Sequence, residues 1–212
     1  MSFPEFFDHA PTVQVRDPLA QLLGATDTGL IEYRYEDAVR LAGHSCPTVA
    51  GAFLAGRAAL AALYPGGPAE RGAIAVHMPA PATHGTVGVV AQIFTLLTGA
   101  AGDGGFRGIG GRFARNGLLS FATSATSEEN TVCVTRVDTA AAVAVAFHVD
   151  AVPVTANLHE LMALVMQNRA DAEQQAAFGA AWQDRVRRML TEHADDPAVI
   201  RVTDRMLETD NA

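Results

Sequence analysis

Residues 43–48, Gly-His-Ser-Cys-Pro-Thr, carry the side chains best suited to chemistry in this chain. His44 and Cys46 stand two apart, so an imidazole and a thiol can reach one small object, such as a metal ion or a reacting carbon. Pro47 suits a first helical position, where its missing N–H would be unpaired anyway, so a helix is expected to start at Cys46. The unpaired N–H groups and positive dipole end of such a start favour a thiolate. Two more imidazoles follow, His77 near the end of an extended stretch and His84 in the loop after it. Thiolate and imidazole suit zinc or another late transition metal, and two or three such ligands leave an open position, the catalytic pattern. Two other chemistries use the same residues. A metal-free pair would have His44 or His77 holding Cys46 as nucleophile or redox residue. Alternatively, Cys46-Pro47 would serve as a haem ligand. Plain packing of both side chains is the bland reading.

The remaining candidates are more distant. His9 sits in an N-terminal arm with Phe3, Phe6 and Phe7 as anchors, and it reaches the site only if the arm folds over a cleft. His148 falls within an alternating strand over 143–149, on the sheet face opposite Val145 and Phe147, either near the site or satisfied in place. Cys133 shares a strand face with Thr131 and Thr135 and reads as a small packing residue.

Composition removes several functions. The formal charge of −8, with no basic patch interleaved with aromatics, argues against a nucleic-acid partner. All fifteen basic residues are arginine, which excludes a Schiff-base lysine, a P-loop lysine and a Ser-Lys dyad. Two cysteines in different contexts point away from a disulfide and toward a reducing cytoplasm. The N-terminus, Met1-Ser2-Phe3-Pro4-Glu5, lacks the basic and apolar regions of a signal peptide. No apolar run reaches the roughly 18 residues of a membrane span.

The elements that must position these groups follow from spacing and punctuation. Asp17-Pro18 begins a short helix over 19–23, with Asp17 as N-cap. An extended stretch at 30–35 precedes a helix at 36–42, ended by Gly43. The next helix, 47–63, contains Gly51 and Gly56, tolerated where another backbone packs closely. A buried strand over 73–78, a loop with His84 and a helix over 88–97 come next. Residues 99–117 hold eight glycines with Arg107, Arg112 and Arg115. They match no nucleotide fingerprint and read as a tightly packed surface loop, with an anion cradle as the alternative. Strands follow over 118–122, 131–137 and 143–149, the last two as an antiparallel hairpin. Residues 157–193 are helical as two helices, or as one interrupted near Gly179, and carry a solvated face at Asp184, Arg185, Arg187 and Arg188. Their exposed remainder packs on the domain or forms a homodimer seam. The tail beyond Asp195-Asp196-Pro197 has little to anchor it. The pattern is an α+β fold, a mixed or antiparallel sheet packed by helices: a core over 1–155 with an N-terminal arm, and a C-terminal helical extension over 156–212 that does not fold independently.

Leu41-Ala42-Gly43-His44-Ser45-Cys46-Pro47, followed by the small-residue helix Val49-Ala50-Gly51, resembles the G-H-x-C-P-G core of the FmdE family, which takes its name from a component of formylmethanofuran dehydrogenase. Leu96-Leu97-Thr98-Gly99 and the strand Leu118-Leu119-Ser120-Phe121-Ala122 resemble the family's second block, and the similarity spans roughly residues 20–150. It implies an α+β core with a cleft around the His and Cys, and a metal-dependent or accessory role toward a molybdenum or tungsten oxidoreductase, or a metal- or haem-trafficking module without turnover. Only His44 and Cys46 carry over; His77 and His84 rest on spacing. The chain departs from the family at Thr48 in place of glycine, at Ala100-Ala101 where a second cysteine is usual, and in lacking a C-terminal zinc finger.

Overall fold

A helix with no polar face organises the molecule. The computed structural model describes residues 3–125 and 131–205; the readings of Met1, Ser2 and residues 206–212 lie outside it. Helix α3 (Pro47–Leu63) buries twelve of its seventeen residues. Apart from Thr48 and Arg57 it is apolar, and it must be covered on nearly every side. On one side lies a five-stranded sheet in the order β5-β4-β6-β7-β8, made of β4 (Ile74–Met78), β5 (Leu119–Phe121), β6 (Thr131–Arg136), β7 (Ala142–Phe147) and β8 (Ile200–Arg205). Strands β4 and β5 are parallel and the other pairs antiparallel, including the expected β6–β7 hairpin. Val76, Val134 and Val143 are paired in register and buried on the helix side. α4 (Val87–Thr98), α2 (Tyr35–Ala42) and α6 (Ala172–Thr191) pack against α3 from other directions. The fold is α+β, with helices on a mixed sheet.

Gly51 and Gly56 let these partners approach. A Cβ at Gly51 would lie 2.6 Å from Cδ2 of Phe147 on β7, and one at Gly56 would lie 2.5 Å from Cδ1 of Leu97 on α4. The close neighbours are side chains, where the spacing suggested another backbone.

Several expectations change. Part of the N-terminal arm is a strand, β1 (Val13–Arg16), which joins β2 (Leu30–Tyr33) and β3 (Ala69–Glu70) in a second sheet ordered β2-β1-β3. The helical extension is two helices, as the first of its two readings has it, and the break falls at residues 167–171, with Gly179 inside the second helix. Asn168 adopts φ 53°, and Asp171 restarts the chain by accepting from the N–H of Gln174 at 2.8 Å. The segment beyond Pro197 is anchored after all, since Ile200–Arg205 forms β8 along the β7 edge. Arg185 and Arg188, read as a solvated face, donate to the carbonyls of Val149, Val152 and Pro153 and tie α6 to the end of the sheet.

A buried ion cluster joins the small sheet to the glycine-rich loop. Asp17 caps the short α1 (Pro18–Leu22), accepting from the N–H groups of Leu19 and Ala20. Its carboxylate also accepts from Arg71 Nη1 at 2.9 Å and Arg115 Nη2 at 2.8 Å. Burial raises the Asp17 pKa, but the Arg71 and Ala20 hydrogen bonds and both guanidinium charges outweigh it and hold the carboxyl below its ordinary value. A depressed folded-state pKa contributes stability above the unfolded value of about 3.8–3.9, and that stability is lost as pH falls through the folded value.

Two outcomes are expected. Gly51→Val should cost about 2–3 kcal/mol in urea unfolding, because the clash with the Phe147 ring exceeds the small gain in helix propensity. Asp17→Asn should cost about 3–5 kcal/mol at pH 7 by removing the counter-charge of two guanidiniums, and its gap from the parent should narrow below about pH 3.8.

Candidate functional site

The His44-Ser45-Cys46 turn is held from three directions. Beneath it, α2 ends at Gly43, whose φ of 77° is the left-handed conformation that reverses the chain out of a helix. Ahead of it, α3 begins as expected: Cys46 is the N-cap, Pro47 is the first helical residue, and the Cys46 sulfur accepts from the N–H of Val49 at 3.5 Å. From the C-terminal part of the chain, α6 closes over the turn. Trp182 Nε1 and Gln183 Nε2 both donate to the Ser45 carbonyl, at 3.2 and 3.1 Å, and Ser45 Oγ donates to Gln183 Oε1 at 2.9 Å. Tyr35 completes the clamp, its hydroxyl 3.0 Å from Ser45 Oγ and its ring edge-on to Phe7 and Phe53. Burial drives the Tyr35 pKa well above the phenolic range, so the hydroxyl stays protonated and keeps its place in this network.

Within this frame the His44 and Cys46 side chains differ. Cys46 is buried and His44 is exposed. His44 Nδ1 lies 3.0 Å from the Ala42 carbonyl. A carbonyl only accepts, so Nδ1 carries the hydrogen, and Nε2 is the ring nitrogen left to offer a lone pair. A backbone carbonyl fixing the far nitrogen is the arrangement that orients imidazole ligands and bases.

The other two histidines are not on this turn. His77 alternates with the buried Val76 and Met78, so it faces away from α3 on the opposite side of the sheet. There its Nδ1 is 2.9 Å from Ser120 Oγ, and the register sets it beside Cys133, whose sulfur accepts from Arg205. His77 therefore belongs to an outer polar row and not to the Cys46 side. His84 lines an apolar cavity of about 210 Å³ with Met78, Val87, Val90, Val132 and Phe147. Phe147 packs on Gly51, about 7.5 Å along the α3 axis from Cys46, which sets this cavity against the N-terminal half of α3. His148 lies at the end of β7 with Nε2 3.4 Å from Arg201, and His9 ends a short 3₁₀ turn over Glu5–His9.

In kind, His44 and Cys46 fit a zinc-like ion. In number they supply two of the four positions such an ion takes. Among the described residues no three His, Cys, Asp or Glu side chains converge as a metal site. Both cysteines are free thiols, and no helix among the described residues is long and apolar enough to cross a membrane.

Sequence reasoning missed the clamp. Trp182 and Gln183 lie 137 and 138 residues from Ser45, and only the apolar spacing through Trp182 hinted at a buried face. No family model and no curated protein matches the chain.

Gln183→Ala should cost about 1–3 kcal/mol by removing both bonds to Ser45. It should also speed amide hydrogen exchange in residues 44–46, read by mass spectrometry, while leaving the β6–β7 hairpin protected.

Proposed function

We propose that this chain is an FmdE-like protein that binds a transition metal ion through His44 and Cys46, leaving coordination positions for a small molecule or for a metalloenzyme partner that receives the metal. The observation carrying the reading is the Ala42 carbonyl on His44 Nδ1, which leaves an exposed imidazole with its lone pair at Nε2 two residues from a thiol. The clamp on Ser45 supports it, since a two-point ligand set gains affinity when its backbone is already ordered. The purified protein should carry about one equivalent of zinc or another transition metal by plasma mass spectrometry. The metal should be lost from Cys46→Ala, reduced in His44→Ala and retained in His77→Ala, whose side chain is across the sheet. Protein that stays metal-free after incubation with zinc overturns the proposal.

A second reading, a metal-free thiol protein, draws on the Val49 N–H that faces the Cys46 sulfur. Here Cys46 attacks an electrophile as thiolate, at the positive end of the α3 dipole. In the metal-free protein, iodoacetamide should alkylate Cys46 faster than it alkylates the same cysteine in urea. Slower alkylation in the folded state would leave Cys46 as a helix cap only.

A further inference from the structure

The glycine-rich loop answers a question left open by its sequence. Its tip is a tight hairpin, in which Ile109 and Arg112 exchange backbone hydrogen bonds at 2.8 and 3.0 Å around Gly110 and Gly111. Both glycines have positive φ, 58° and 77°, as a primed two-residue turn requires. The neck is closed by Arg115 N–H on the Phe106 carbonyl at 2.7 Å. The outcome of this construction is positional: Arg112 and Arg115 come to the wall of one cavity of about 310 Å³ that Arg71 and Gly72 also line.

The charges there do not cancel. Three guanidiniums line the cavity, those of Arg71, Arg112 and Arg115, and Glu70 is the carboxylate in its lining. Asp17 is shared by Arg71 and Arg115. That leaves one positive charge more than these carboxylates supply. The three arginines also differ in what they lack. Arg71 is satisfied, its donors going to Asp17 and to the Leu96 and Thr95 carbonyls. Arg112 is exposed, stacks over the Phe113 ring at 4.8 Å and makes no ion pair among the described residues. Arg115 is the informative one. It is only 7% exposed, and its Nη1 is buried without an acceptor. That atom lies over Gly72, where a Cβ would come within 1.6 Å of it. Glycine at position 72 is what makes room for this buried donor, so that the Arg115 charge stands at the cavity wall. Burial pulls the Arg115 pKa down, yet the group remains charged because arginine starts so high.

We propose that this cavity is a binding site for a small oxyanion, the phosphate or carboxylate group of a soluble ligand. The anion accepts from the exposed Arg112, and the buried guanidinium of Arg115, which shares Asp17 with Arg71, gives the wall its excess positive charge. Arginine forks match the paired acceptors of both anions, and the cavity volume leaves room for part of the molecule that carries the group. None of the residues involved belongs to the His44–Cys46 turn, so the site stands or falls independently of the metal and thiol readings.

The test uses the intact protein with inorganic phosphate and, separately, sodium acetate, each against sodium chloride at matched ionic strength. Calorimetry should show saturable phosphate binding, and the melting temperature should rise with phosphate beyond the chloride control. Arg112→Ala should fold normally and weaken phosphate binding roughly tenfold or more, the loss of one charge-assisted contact. Arg107→Ala, on the same loop but outside the cavity lining, should stay within about twofold of the parent. Saturable acetate binding with the same Arg112 dependence and no response to phosphate would assign the site to carboxylates. No heat with either anion, or phosphate binding indifferent to Arg112→Ala, overturns the proposal.

Discussion

Everything in this fold answers to the burial of α3. A helix with a continuous polar stripe is oriented by the stripe; α3 has only Thr48 and Arg57, so its orientation comes from its small residues. Gly51 and Gly56 are five positions apart, which turns them about 140° round the helix. One meets the sheet through Phe147 and the other meets α4 through Leu97. These two hollows fix how the sheet and α4 sit on the central helix. The remaining surface is covered by α2, α6 and β8, elements from opposite ends of the chain. Because α3 is fixed so firmly, its first turn is fixed too, and with it the position of Cys46.

The His44–Cys46 turn and the buried ion cluster are built by one principle. In each, a short segment from the first half of the chain is pinned by polar groups that arrive much later in sequence. Ser45 waits for Trp182 and Gln183, and Asp17 for Arg71 and Arg115. The Ser45 clamp uses neutral hydrogen bonds at a half-buried carbonyl. The Asp17 cluster uses full charges away from water, where losing one partner is far more costly than the pair's net worth.

Local signals made much of this fold legible. Asp17-Pro18, Gly43 and Cys46-Pro47 are cap and stop signals acting within a few residues, and each marks the boundary it should. The alternation in residues 131–136 and 142–147 gives the hairpin for the same reason. What escaped depends on partners far away. Residues 200–205 alternate no more clearly than many loops, and they become a strand because β7 offers an open edge. Residue type groups His77 with Cys46, yet strand periodicity turns it to the other face. Arg185 and Arg188 look like surface charge in a helical run, and only tertiary structure gives them carbonyls to cap. For the arginine-lined cavity the sequence offers glycines and arginines together, but Arg71, Arg112 and Arg115 meet at one wall only once the loop has folded back onto Asp17.

The late arrival of β8 has a consequence during synthesis. β7 is complete about fifty residues before β8 begins. At ordinary translation rates that interval lasts roughly 3–10 s. Throughout it, the nascent hairpin presents an open edge rich in valine and alanine, the kind that pairs with a neighbouring chain on a polysome. The β6 side gives it no help, because that edge is already taken. Residues 200–205 therefore act as a built-in capping strand, and crowding of half-made chains should be the point at which this protein is most prone to aggregate.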